Sequence, residues 1–211
     1  KGNDRLGELV LSLSHMFRYS SHWEDGRAVT LREELEQIGH YLTIILTRLE
    51  GRLTVDIQME EQWLDIPIPR MTVQPIIENA VKHGLESLQT VAGRLKMYGQ
   101  ATGQTLRILI EDNGNGMDRM QLAALTACLM DGSLAGAGAA AGATGGAAEA
   151  RKAKGGIGLH NVHKRLQYMF GEAYGLEISS APGRGTTVAI VLPLLRVGKE
   201  VKEAGEGEWN G

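Results

Sequence analysis

One cysteine, two phenylalanines and five prolines in 211 residues exclude several kinds of protein at once. A lone thiol, Cys128, cannot build an intrachain disulfide framework, so the chain is no disulfide-stapled scaffold and fits a reducing compartment. Cys128 lies in the apolar run from Leu122 to Met130, where a small buried hydrophobe is expected. No apolar run approaches the roughly 18 residues of a membrane span, and no signal segment is visible. Excess positive charge is missing too: 22 Lys and Arg against 25 Asp and Glu give a formal charge of −3, and no nucleic-acid partner is expected. There is no internal repeat and no initiator methionine. The chain opens inside a helical pattern, so the expectation is a soluble, cytoplasmic piece of a longer protein. Its length suits one ordinary domain with an appendage, or one large domain.

What is present falls into segments with distinct periods. Leu6, Leu9, Val10, Leu13, Met16 and Phe17 recur at three and four and predict a helix ending near Ser20 and Ser21. Thr30-Leu31-Arg32-Glu33 is a capping box that opens a second helix, whose apolar face runs from Leu31 to Leu49 before Gly51 stops it. From Arg52 the period becomes two: Leu53, Val55, Ile57 and Met59 predict a half-buried strand. Trp63 to Pro67 reads as a second short strand, ended by Pro67 and Pro69. Residues 93–98 and 105–111 predict a hairpin, and 117–130 a short helix. From Gly132 to Ala150, 15 of 19 residues are Ala or Gly, which cannot form a specific core and predicts a mobile segment. A helix is expected to start at Gly156-Ile157-Gly158-Leu159 and run to about Phe170. Two strands follow, at 176–179 and 186–192, around Pro182-Gly183-Arg184-Gly185. Residues past Arg196 have no periodicity and predict disorder.

Four places carry candidate chemistry. Gln74-Pro75-Ile76-Ile77-Glu78-Asn79-Ala80-Val81-Lys82-His83-Gly84 predicts a helix of about Arg70 to Leu85 with Pro75 in or near its first turn. Asn79, Lys82 and His83 stand at i, i+3 and i+4 and share a face. An amide oxygen can ligate Mg²⁺ and a neighbouring ammonium suits a polyphosphate. One reading is a wall of a magnesium–nucleotide site; the other is a plain amphipathic helix. Asp112-Asn113-Gly114-Asn115-Gly116 ends a strand. There an Asp carboxylate can accept from an exocyclic amine while the glycines permit close approach, or the loop is a plain turn. At Gly156 and Gly158, N–H groups at a helix start can hold an anion, beside Lys154, or the glycines form a hinge. Gly183-x-Gly185-Thr186 offers a hydroxyl to a base or a water, or simply turns a hairpin.

In this order, separated by strands, the four stretches resemble the N box and the successive glycine boxes of the GHKL (Bergerat-fold) ATP-binding superfamily. Further segments resemble one branch of it, the LytS/YehU-type sensor histidine kinases. These are Phe17-Arg18-Tyr19-Ser20, Val29-Thr30-Leu31-x-Glu33-Glu34-Leu35, Tyr41-Leu42, Arg48-x-x-x-Arg52-Leu53 and Gly158-Leu159-x-Asn161-Val162-x-x-Arg165-Leu166. The resemblance covers about residues 10 to 195. It implies an α/β fold, a two-layer sandwich with a mixed sheet, over residues 51–196. Before it would lie a partial helical dimerisation module at 1–50, and after it a disordered tail at 197–211. It implies ATP and Mg²⁺ as ligands, with Asn79 on the metal and Lys82 and His83 on phosphate or ribose. Asp112 would take the adenine amine, with Gly114 and Gly116 giving the base room. Gly156, Ile157, Gly158 and Leu159 would face the phosphates, and Thr186 would support the base.

The reaction implied is transfer of the γ-phosphoryl of ATP to a histidine, then to a response-regulator aspartate. A homodimer through the helical module and a membrane-anchored full-length protein are implied as well. The acceptor motif of that branch, Pro-His-Phe-x-Phe-Asn, does not occur here. His15, followed by Met-Phe, aligns elsewhere in the module, and His22, His40, His160 and His163 are expected on loops or helix surfaces. Two alternatives stand beside this reading. A GHKL ATPase would need a water-activating Glu four residues before Asn79, where this chain has Pro75. A non-catalytic module would bind nucleotide or only dimerise.

Overall fold

The computed structural model describes residues 11, 12, 14, 28–49, 51–85, 92–131 and 147–194, and for His83 and 147–155 the backbone alone. The expectations for most of the first helix, for His15 and His22, for 132–146 and for the tail lie outside the described residues.

Strand β1 (Ala28–Thr30) leads directly into α1 (Leu31–Leu49). The capping box forms as expected: the Glu33 carboxylate accepts the Thr30 N–H at 2.7 Å, and the Thr30 hydroxyl accepts the Glu33 N–H at 3.2 Å. Such a cap contributes about 1 kcal/mol. Gly51, at φ 80°, ends the helix. Strand β2 (Leu53–Gln58) follows. The next stretch departs from expectation. Trp63 closes a short 3₁₀ turn (Glu61–Trp63), and the strand is β3 (Pro67–Pro69), the proline segment itself. A two-stranded ribbon allows this, because Ile68 lies opposite Val29 and the flanking prolines occupy the ends.

Helix α2 (Val73–Asn79) widens into a π-helical turn (Ala80–Leu85), with Pro75 in the first turn. A hairpin follows, β4 (Gly93–Thr102) and β5 (Thr105–Asp112), turned at Gly103. Next come α3 (Arg119–Asp131), α4 (Ala147–Phe170), β6 (Gly175–Ser180) and β7 (Thr186–Pro193).

The five-stranded sheet has the order β2-β4-β5-β7-β6, with β2 and β4 parallel and the other pairs antiparallel. This is the expected mixed sheet. Its inner face follows the period of two: Leu106, Ile108 and Ile110 of β5 are buried, as are Leu95 and Met97 of β4 and Val188, Ile190 and Leu192 of β7. Helices cover that face with Val73, Ile76, Ile77, Leu159, Val162 and Leu166. Leu31, Ile38, Leu42 and Ile45 of α1 join the same core, so the helical segment and the sheet bury apolar surface together.

Candidate functional site

Asp112 occupies the last inward register of β5, in line with Leu106, Ile108 and Ile110. A carboxylate thus stands where the alternation calls for an apolar side chain. It lies opposite Thr186 of β7, which in turn lies opposite Ser180 of β6. Asp112 Oδ1 accepts the Gly114 N–H at 2.8 Å and the Thr186 N–H at 3.3 Å. Burial raises the Asp112 carboxyl above its ordinary value, against the pull of those two N–H groups. The arrangement leaves Oδ2 as an acceptor at the edge of the core. Ser180, which the sequence reading did not single out, completes the row. Its hydroxyl donates to the Gly185 carbonyl at 2.8 Å, accepts the Met117 N–H at 2.9 Å and lies 2.9 Å from the Thr186 hydroxyl. The signal available for it was the hairpin register, which pairs position 180 with 186.

The glycines of these loops are required by backbone packing. A Cβ on Gly114 would lie 2.4 Å from the Gly84 backbone, and one on Gly116, at φ 64°, would lie 1.9 Å from the Ala181 carbonyl oxygen. A Cβ on Gly84 would fall 2.6 Å from Asp112 Oδ1. Gly84 ends the helical stretch, and its missing side chain is what lets the π-turn approach the Asp112 carboxylate. The loop is tied down further by Asn113, whose Oδ1 accepts the Arg94 N–H at 2.5 Å and whose Nδ2 donates to the Ala92 carbonyl at 3.0 Å.

Asn79 is the last residue of α2 and is half-buried; Lys82 is exposed on the π-turn. A π-turn inserts a residue into the helical register and recurs at functional sites. Lys82 Nζ donates to Glu78 at 3.1 Å, and the other Glu78 oxygen accepts from the Gln74 amide at 2.9 Å. Glu78 is therefore committed to its own helix.

The helix expected to start at Gly156 starts earlier. The described backbone of α4 is helical from Ala147, through Gly155, Gly156 and Gly158. Ala147, Ala148, Ala150, Arg151, Lys152 and Lys154 are strong helix formers and account for the extension. Gly156 packs against Cys128, where a Cβ would meet Sγ at 3.0 Å, while a Cβ on Gly158 would meet nothing within 4 Å. Ile157 is exposed, and the Leu159 side chain belongs to the core. Cys128 is buried, as expected.

His163, expected at a surface, is 4% exposed. Its Nδ1 accepts the Leu176 N–H at 3.0 Å, which places the proton on Nε2, a buried atom with no hydrogen-bond partner among the described residues. Burial lowers its pKa, with Lys164 and His160 adding to the effect. His160 Nδ1 lies 2.9 Å from the Leu129 carbonyl. Among the described residues no group of His, Cys, Asp or Glu could hold a metal ion by itself, and no helix is long and apolar enough to cross a membrane. A cation at Asn79 would have one neutral amide oxygen from that residue. That donor set fits an ion brought in by a polyphosphate rather than a resident one.

Known proteins match this chain along most of its length. The sequence profile of the histidine kinase-, DNA gyrase B- and HSP90-like ATPases matches residues 65–196, and that of histidine kinases matches residues 1–53. Sensor histidine kinase YesM of Bacillus subtilis (strain 168) is 31% identical over 189 residues, 90% of this chain and 28% of YesM. Sensor histidine kinase/phosphatase LytS of Staphylococcus aureus (strain Mu50) is 29% identical over 200 residues, 94% of this chain and 30% of LytS. The chain thus spans less than a third of the length of these relatives. Among solved structures, the nucleotide-free catalytic domain of histidine kinase ThkA superposes with a TM-score of 0.50 at 10% identity. That match covers 79% of this chain and 93% of ThkA's, and is a likeness of fold.

Proposed function

The chain belongs to the histidine kinase-, DNA gyrase B- and HSP90-like ATPase family, and from that premise we propose that it is the ATP-binding catalytic part of a sensor histidine kinase. In this reading the γ-phosphoryl of ATP passes to a histidine outside this sequence and then to a response-regulator aspartate. The helical segment at 1–50 serves dimerisation, 51–196 binds nucleotide, and 197–211 is a tail. The full-length protein is a membrane sensor, with this part on the cytoplasmic side.

The observation that carries the reading is the buried Asp112 carboxylate. One oxygen is fixed by two N–H groups, and the other is left to accept from an amine. An exocyclic amine such as that of adenine supplies such a donor, and hydrogen bonding to it offsets the burial of the charge. Thr186 and Ser180 orient the acceptor end, while Gly84, Gly114 and Gly116 bring the backbones together around it. Asn79 would hold Mg²⁺, whose role is to screen the phosphate charge. Lys82 and His83 stand on the same π-turn for phosphate or ribose. Lys82 can leave Glu78, because an exposed ion pair of this kind is worth no more than about 1 kcal/mol. Gly156-Ile157-Gly158-Leu159 lies inside α4, where its N–H groups belong to the helix, so it would offer them to phosphate only if α4 opened there. The domain positions nucleotide and neutralises charge; little covalent chemistry falls to it.

Mg-ATP affinity of the chain beside Asn79→Ala and Asp112→Asn tests the assignment. In Asp112→Asn the new amide would retain an acceptor for the Gly114 and Thr186 N–H groups but present an NH₂ to the incoming amine. The expected loss is about tenfold or more. Because ionising Asp112 costs folding energy, its stabilising influence holds below the ordinary carboxylate pKa and is lost as pH rises through the elevated one. Asp112→Asn should therefore unfold at pH 7 no earlier than wild type. Unchanged affinity in both variants sinks the site.

A further inference from the structure

Residues 69–73 connect β3 to α2 and lack the local capping chemistry that such a junction ordinarily has. Thr72 stands at the N-cap position, but its hydroxyl donates to the Pro69 carbonyl at 2.5 Å and caps nothing. Met71 holds φ at 59°, a left-handed conformation that costs a residue with a side chain about 1–2 kcal/mol. The junction is held instead from two other helices. From α1, the Glu34 side chain reaches in, 1% exposed. One of its oxygens accepts the Met71 N–H at 2.6 Å; the other accepts those of Thr72 and Val73, both at 3.0 Å. From α4, the Arg165 guanidinium donates to the Arg70 carbonyl at 2.5 Å and the Met71 carbonyl at 2.8 Å.

A carboxylate and a guanidinium, from helices far apart in sequence, thus take three N–H and two C=O groups of one short stretch. Burying a charge is costly unless its hydrogen bonds are filled, and a neutral cap such as serine at position 72, which is fully buried, would avoid that cost. What the remote clamp adds is a geometric link. Helix α2 begins at Val73 and delivers Asn79 six residues later, about 9 Å along its axis, with Lys82 on the turn beyond. Arg165 lies on α4, seven positions beyond Gly158.

We propose that Glu34 and Arg165 are positioning residues for the phosphate end of the nucleotide site, coupling the helical segment to it through the Met71 junction. A shift of α1 carries the Glu34 carboxylate, the first turn of α2, and with it Asn79 and Lys82. The same junction ties that movement to α4. The adenine end is held chiefly by the sheet register of Asp112, Thr186 and Ser180, and meets the π-turn only at its far end, at Gly84. The inference rests on the nucleotide-site reading above.

The test compares Mg-ATP affinity, adenosine affinity and the unfolding midpoint of the chain, below the midpoint of each variant. Glu34→Gln puts an NH₂ group against at least one backbone N–H whichever way the amide turns. Arg165→Lys replaces a two-pronged donor with a single ammonium. Both should weaken Mg-ATP binding by about fivefold to tenfold and leave adenosine within about twofold, since part of the worth of a charged hydrogen bond at the junction is transmitted to the phosphate end. The comparator is Arg32→Ala, which removes exposed pairs from the same α1 to Glu61 and Asp65. It should lower the midpoint without changing the ratio of the two affinities. If Glu34→Gln does not fold, Arg165→Lys decides alone. A ratio that stays at the wild-type value, or a parallel loss of both ligands, overturns positioning and leaves a purely structural clamp. A wild-type chain that binds neither ligand overturns the nucleotide site itself, and the coupling with it.

Discussion

At the scale of single residues, the structure places ionisable and polar groups where the local pattern calls for apolar ones, and each has a physical consequence. Asp112 and Glu34 are buried carboxylates that accept backbone N–H groups, Glu34 through both oxygens and Asp112 through one. His163 is a third buried ionisable group, and it differs because the ordinary pKa of an imidazole lies near neutrality. In the fold its Nδ1 is an acceptor for the Leu176 N–H, and a Cβ on Gly175 would lie 2.6 Å from it. Protonation would turn that acceptor into a donor facing another donor, with no room to rotate away. Burial, Lys164 and His160 all disfavour the cation, so the folded pKa lies below the ordinary value of 6.5. The unfolded chain then binds more protons in the window between the two pKa values. The stability His163 confers is complete above pH 6.5 and is lost as pH falls through the depressed folded pKa. Urea unfolding at about pH 7.5 and about pH 5.5 should show the chain weaker at the lower pH. In His163→Gln, whose amide oxygen can still accept the Leu176 N–H, the difference should shrink. An equal pH dependence in both would assign it to other groups.

At the scale of elements, periodicity made most of the fold legible, and long-range contacts were what it missed. The capping box at Thr30 and Glu33, the existence of β2, though Ile57 is exposed against its expected inward place, and the hairpin at 103 were readable because each is decided by neighbours in sequence. The strand at Pro67–Pro69 was not, since it depends on a partner nearly 40 residues away. Ser180 and Gly84 matter for what lies opposite them, and Glu34 for a junction 37 residues on. The start of α4 was misplaced because glycines read as a boundary were outweighed by the alanines and lysines before them. Glycine substitutions separate these cases. Gly158→Ala adds a Cβ that meets nothing within 4 Å in a helix interior. It should stabilise the chain without nucleotide by about 0.5–1 kcal/mol, seen as a higher thermal midpoint. If the phosphates require α4 to open at Gly158, the same change should weaken Mg-ATP binding. Gly116→Ala must place a Cβ 1.9 Å from the Ala181 carbonyl oxygen at φ 64° and should cost more than about 3 kcal/mol.

At the scale of the whole molecule, the question is whether the bound nucleotide is cleaved by water or held for a distant acceptor. Family membership alone does not decide it, because the matched profile spans kinases and ATPases alike. The helix that carries Asn79 offers two groups for comparison. Pro75, four residues earlier, has no base. Glu78 has a carboxylate, but Gln74 holds it at 2.9 Å along its own helix, and that contact stays when Lys82 leaves for phosphate. Activating water needs a carboxylate within hydrogen-bond reach of the attacking oxygen, and general-base help of that kind is worth about 10²–10⁴ in rate. Without it, bound ATP should persist. The chain, saturated with Mg-ATP, should therefore release phosphate barely above the spontaneous background, and Glu78→Gln should leave that residual rate unchanged. The same preparation should pass the γ-phosphoryl to a histidine-bearing helix of the full-length protein supplied as an Asn79→Ala variant, which cannot load its own nucleotide. Release that is fast, and that falls with Asn79→Ala, would assign the site to hydrolysis. Label retained on the acceptor, stable to base and lost in acid as a phosphohistidine is, would assign it to phosphotransfer.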